Sequence, residues 1–108
     1  MREDYFGLIT LKDLQVNDKL ILLFLINEDK EQKTNNNIVA LIEYIELMLN
    51  ISKRTILRCM KRLKENGYIT CNKLKYNHSK LNNVNVYHIK YDLIKEKLGW
   101  NNIIQQEF

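Results

Sequence analysis

The sequence has no proline and only three glycines in 108 residues. A chain so poor in breakers has no linker of the usual Pro/Gly kind, and other residues must make its turns. Its two cysteines, Cys59 and Cys71, show neither a CxxC spacing nor a second pair. This argues against a zinc site or a disulfide scaffold and for two thiols packed inside an intracellular protein. No apolar run approaches the ~18 uncharged residues of a membrane span, and no basic stretch precedes an apolar one at the N-terminus as in a secretory leader. A cytoplasmic protein without membrane contact is expected. Acid is scarce in one region: between Ile51 and Tyr91, Glu65 is the sole carboxylate side chain.

Apolar residues make up 45% of the chain, enough for a real core, and the length suits one domain spanning 1–108. Net charge is +4, but it is polarised. The stretch from Ile51 to Tyr91 holds ten basic residues against one acid, for +9, whereas the remainder holds seven against twelve, for −5. A solvated charged surface intersperses both signs as i,i+4 pairs; a one-signed surface of this size expects a polyanion.

In chain order, Tyr5–Thr10 has strand character and would add a short edge strand, weakened by Gly7. Asn17 is a suitable cap for a first helix over 17–27, with Asp18 at its positive end. Every residue from Leu20 to Ile26 is apolar, so this helix reads as the centre of the core. The polar run Glu28 to Asn37 reads as an exposed loop, with one of Asn35, Asn36 and Asn37 capping a second helix over 38–49. That helix places Leu41, Ile42, Ile45, Met48 and Leu49 at helical spacing. Asn50 occupies a turn position that tolerates positive φ.

The segment LNISKRTILRCMKRLKENGYI organises the rest. Ser52 can cap a third helix over 53–66 by accepting a free backbone N–H. Ile56, Cys59, Met60 and Leu63 form its apolar face, and Lys53, Arg54, Arg58, Lys61, Arg62 and Lys64 surround it. Asn66-Gly67 ends it. Two strands within 68–91, joined by the polar turn Asn77 to Asn83, form a hairpin. In its second strand, Tyr87 and Ile89 point toward the helices. Asp92 caps a last helix, and the apolar tail with Trp100, Ile103, Ile104 and Phe108 either folds back on the domain or packs against a second copy.

This segment, followed by a polar hairpin and NVYHI, resembles the winged helix-turn-helix superfamily over about Asn17 to Tyr91. Leu49, Ile51, Ile56 and Leu63 match the family's core positions, Gly67-Tyr68-Ile69 its helix-to-wing step, and Asn85-Val86-Tyr87 the opening of its second wing strand. The N-terminal run is similar to the first helix of winged domains in plasmid replication initiators and DnaD-like proteins. Small winged accessory factors of plasmid conjugation are a further likeness. The resemblance implies an α+β fold with a three-helix core, a two-stranded wing and a C-terminal helix. It also implies sequence-preferring binding to double-stranded DNA, as an accessory at a plasmid or mobile-element origin of transfer or replication serving larger machinery. A small transcriptional repressor acting by occlusion and a protein–protein adaptor are the alternatives.

The chain departs from the family pattern twice. Glu46 stands where a small residue normally lets the third helix approach, and Leu57 stands where a polar base-reading side chain is usual. A leucine can touch a thymine methyl but reads no hydrogen-bond edge. The expected contacts therefore weigh toward the helix start (Ser52, Lys53, Arg54, Thr55) and the wing (Lys73, Lys75, Asn77, His78, Ser79, Lys80), with Arg58, Lys61 and Arg62 along the helix. His78 reads equally as a phosphate donor or an ordinary turn residue, and each wing lysine could be a solvated hairpin residue. The tyrosines fit core packing better than base stacking. No nucleophile constellation, Gly-rich phosphate loop or metal-ligand cluster is legible. A non-enzymatic protein without cofactor, metal or small-molecule ligand is expected, forming a homodimer through Trp100, Ile103 and Ile104.

Overall fold

A computed structural model describes residues 5–74 and 84–99. Among these residues the chain is α+β: a 3-10 helix, Tyr5–Thr10, then α1 Val16–Gln32, β1 Ile38–Val39, α2 Ile42–Leu49, α3 Lys53–Glu65, β2 Ile69–Leu74, β3 Val84–Ile89 and α4 Tyr91–Lys97. The strands form one antiparallel sheet in the order β1-β3-β2. The arrangement is compatible with a winged helix, with three strands in the sheet where a two-stranded hairpin was expected.

The extra strand is not the N-terminal one. Tyr5, Leu8 and Leu14 are buried and Leu11 half-buried, a period of three. That period suits the three residues per turn of a 3-10 helix rather than the alternation of a strand. Gly7 sits where a Cβ would come within 3.1 Å of the Leu98 side chain, so its smallness serves close packing against the C-terminal end of α4.

Helix α1 begins one residue before Asn17, which is not its cap. The Gln15 N–H donates to Asp18 Oδ2 at 3.0 Å, so the carboxylate three residues on closes the first turn. The helix then runs through Gln32, five residues beyond the expected end. Glu, Lys and Gln are good helix formers when their side chains face water, and polarity alone misread them as loop. The true break comes at Lys33, Asn35 and Asn36, all with positive φ. Asp29 ties this turn together, accepting from the Thr34 hydroxyl, the Asn36 N–H and the Tyr91 hydroxyl.

The turn explains why Ile38 and Val39 are strand and not helix. Asn36 Nδ2 donates to the Ile89 carbonyl at 2.9 Å, and its Oδ1 accepts the Ile89 N–H at 2.7 Å. The side-chain amide thus acts as one rung of the sheet ladder and delivers the next residues into register, with Ile38 opposite Tyr87 and Val39 opposite Val86. None of the asparagines caps α2; that helix starts after Leu41. The inward stripe of α2 runs through Ile42, Ile45 and Leu49, while Leu41 and Met48, expected beside them, fall on the other flank of Ile45 and are exposed.

The α2–α3 step follows the sequence reading. Asn50 takes φ 54° and ends α2, and Ser52 Oγ accepts the Thr55 N–H at 3.3 Å to cap α3. Gly67, at φ 82°, reverses the chain so that the Tyr68 N–H closes on the Leu63 carbonyl at 2.9 Å; the positive φ requires glycine or a near equivalent there. β2 pairs with β3 from Ile69↔Ile89 through Cys71↔Tyr87 to Leu74↔Val84. Helix α4 starts at Tyr91 after Lys90, so Asp92 lies in the first turn and is not the cap.

The core joins Leu22 and Leu25 of α1, Ile45 of α2, Ile56 and Leu63 of α3, and the inward sheet residues Ile38, Ile69, Tyr87 and Ile89. Tyr68 is fully buried with its hydroxyl donating to Asp13 Oδ2 at 2.7 Å, and burial together with that carboxylate pushes its pKa well above the ordinary tyrosine value. No described helix is long and apolar enough to cross a membrane.

Candidate nucleic-acid interface

Helix α3 separates its residues cleanly. Ile56, Cys59, Met60 and Leu63 are buried against α1, α2 and the sheet. Arg54, Leu57, Arg58, Lys61 and Lys64 are exposed and recur at three- and four-residue spacing, which puts them on one solvent face. Among the described residues none of Arg54, Arg58, Lys61 and Lys64 forms an ion pair. Four cations against one acid, Glu65, leave that face with a net positive potential.

Arg62 is placed differently. Its Nε lies 3.0 and 3.1 Å from the two oxygens of Asp18, and its Nη2 donates to Oδ1 at 2.9 Å. Asp18 has no exposed surface, so this forked pair joins α1 to α3 beside the core and draws Arg62 off the cationic face. Burial works to raise the Asp18 pKa, but the hydrogen bonds led by Arg62 outweigh it and hold the carboxyl below its ordinary value. Arg62 Nη2 also donates to Cys59 Sγ at 3.4 Å. Burial and the nearby Asp18 push the Cys59 thiol up to about 11, so it stays protonated and unreactive at neutral pH.

The start of α3 is largely satisfied from within. Ser52 Oγ is taken by the Thr55 N–H, and Ser52 also lies 2.9 Å from the Thr55 hydroxyl. Glu46 resolves the first departure from the family pattern: it is exposed rather than wedged between helices, and its Oε2 accepts the Lys53 N–H at 3.2 Å. The Lys53 ammonium reaches back to Glu43 Oε1 at 3.6 Å. Two acids of α2 therefore flank the N-terminus of α3, and they oppose a phosphate at Lys53 more than at Arg54, Arg58 or Lys61.

In the β2–β3 hairpin, Lys73 is exposed on β2 opposite Asn85. Lys75, Asn77, His78, Ser79 and Lys80 lie outside the described residues, as do Trp100, Ile103 and Ile104. His88 is built into the sheet, with Nδ1 2.8 Å from the Asn36 carbonyl and Nε2 3.0 Å from the Asn72 amide. The described residues contain no group of three or more His, Cys, Asp and Glu that could hold a metal ion.

Two features escaped the sequence reading. The Asp18–Arg62 pair links positions 44 apart, and nothing local marks Arg62 off from its neighbours. The exposed apolar face of α2 had a visible signal, since six of the eight residues in IEYIELML are apolar and a helix can bury only one stripe against one core. No protein-family model matches this chain, and no curated protein matches it.

Proposed function

We propose that this chain is a non-enzymatic winged helix-turn-helix protein that binds double-stranded DNA with sequence preference through the exposed face of α3 and the wing. The observation that carries this reading is the row Arg54, Arg58, Lys61 and Lys64, without an ion pair among the described residues, on a helix whose opposite face is locked into the core. A packed helix presenting cations on one side is the form in which a recognition helix enters a major groove. The process it serves is a plasmid or mobile-element origin, of transfer or replication, where it acts as an accessory to larger machinery. This last step rests on the likeness of the N-terminal and helix-turn-helix segments to such proteins.

Fluorescence anisotropy with duplexes from the protein's own gene neighbourhood and with scrambled duplexes, across salt, tests the reading. Site-specific binding with a log–log salt slope near −4 to −5, the release expected for about five neutralised phosphates, supports it. Equal weak binding to every duplex removes the sequence preference. Absence of binding at low salt overturns the DNA reading and leaves the adaptor.

A further inference from the structure

Apart from Ile9 of the 3-10 helix and Leu57 of α3, the exposed large apolar residues among those described belong to α1, α2 and the segment just before α2. Leu47 is 79% exposed and Met48 55%. At 100° per residue Leu47 stands almost opposite the buried Ile45, and Leu41, Tyr44 and Met48 fill the flank between them. That flank faces α1: the Tyr44 ring lies 5.9 Å from the Phe24 ring, and its hydroxyl is 3.4 Å from Glu28 Oε1. On α1 the stripe continues through Leu20 and Val16, four and eight residues before Phe24, both exposed. At the other end it meets a groove of about 500 Å³ walled by Val39, Leu41 and Tyr44 on one side and by the polar Glu28, Gln32, Thr34 and Asn37 on the other. The acids Glu43 and Glu46 are on the opposite flank of α2, where their bonds to Lys53 hold them beside α3.

Monomeric proteins rarely leave a continuous apolar patch of this extent in water. From its residues' exposures the patch amounts to on the order of 700 Å² per chain, close to the ~800 Å² per partner of a stable interface. We propose that this α1–α2 face is an interface between two copies of the chain, related by a two-fold axis near Leu47. An apolar patch is chemically complementary to itself, as a two-fold interface requires. An antiparallel pairing of the two α2 helices also sets their dipoles in opposition. The stripe takes no residue from α3, so Arg58 and Lys61 are not part of the pairing surface. The interface stands whether or not that face binds DNA.

Sedimentation equilibrium of the full 108-residue chain without DNA tests this. The wild-type chain is expected to dimerise in the micromolar range. Leu47→Glu and Met48→Glu are each expected to weaken the dimer by at least about tenfold, since each removes a buried apolar side chain from both sides of the axis. Arg58→Ala should leave it unchanged, which separates this interface from the DNA reading. If a glutamate variant fails to fold, Leu47→Cys in a Cys71→Ser background decides: beside the axis it should form an intermolecular disulfide under mild oxidant, which the Cys71→Ser chain, left with the buried Cys59, should not. A wild-type monomer at about 200 µM, well above the Kd of a weak specific complex, would overturn the proposal. So would a dimer that Trp100→Ala dissociates while both glutamate variants leave it intact, because the tail would then be the contact.

Discussion

Helices α2 and α3 are joined by the three residues Asn50 to Ser52 and share one core, yet they solve the problem of their outer surfaces in opposite ways. Helix α3 is sorted: every apolar residue but Leu57 is buried, and the rest of its surface is dominated by cations. Helix α2 is unsorted, with a single fully buried residue, Ile45, and apolar side chains on the side facing water. A core can absorb one stripe per helix, so what remains on each helix states the kind of surface that completes it. In the readings proposed above, a polyanion completes α3 and a second apolar face completes α2.

The largest expected effect shows which cations belong to that comparison. Arg62 lies on α3 but serves the fold. Arg62→Ala leaves the fully buried Asp18 carboxylate without its counter-ion, a destabilisation that the one-third exposure of the arginine lessens without removing. Urea unfolding should show that loss, while DNA affinity measured well below the melting temperature changes little. The same pair sets a pH dependence. Because the folded Asp18 pKa lies below the unfolded value near 3.8, its contribution is fully present above that value and is lost as pH falls through the folded one. Unfolding titrations from pH 7 to 3 should therefore steepen in stability loss below about pH 4, the ordinary carboxylate range, and Asp18→Asn should flatten that part of the profile.

Next in size comes the cationic face itself. Arg58→Ala is expected to lower affinity for a specific duplex by roughly tenfold to a hundredfold, the range for a base-contacting arginine, and Lys61→Ala to reduce the salt slope by about one. On the other helix, Leu47→Glu should leave the salt slope per chain unchanged, since that residue lies on α2 and outside the cationic row of α3. If Arg58→Ala and Lys61→Ala leave binding intact while Lys73→Ala abolishes it, the wing rather than α3 carries the contact.

What was legible in the sequence was whatever rests on short-range chemistry. Ser52 as a cap, Asn50 at positive φ, the buried quartet of α3 and the Gly67 reversal each depend on a few neighbouring residues, and each is found as read. The failures are long-range or depend on period. Ile38 and Val39 became strand because Asn36, through its side chain, bonds to Ile89, 53 positions away. The 3-10 helix was hidden because Tyr5, Leu8, Leu11 and Leu14 repeat every three residues, between the periods of strand and helix. At the candidate site, the sequence listed the cations but could not show that Arg62 turns inward. It gave no sign that Glu46 reaches the first N–H of α3.

The smallest expected effect concerns the residue that breaks the sorting of α3. Leu57 is 49% exposed between Arg54, Arg58 and Lys61, so a bound duplex meets an apolar side chain in the middle of a cationic face. In the major groove the apolar feature of a base pair is the thymine 5-methyl, and burying one methyl-sized group contributes about 0.8 kcal/mol. Replacing thymine by uracil in the bound duplex keeps every hydrogen-bond edge and removes only that methyl. At the position Leu57 covers, the wild-type chain should bind the uracil duplex about fourfold more weakly. Leu57→Ala should bind both duplexes alike, at about the wild-type affinity for uracil. Equal affinity of the wild-type chain for both duplexes at every thymine would place Leu57 away from the bases, and α3 would then lie across the phosphates rather than in the groove.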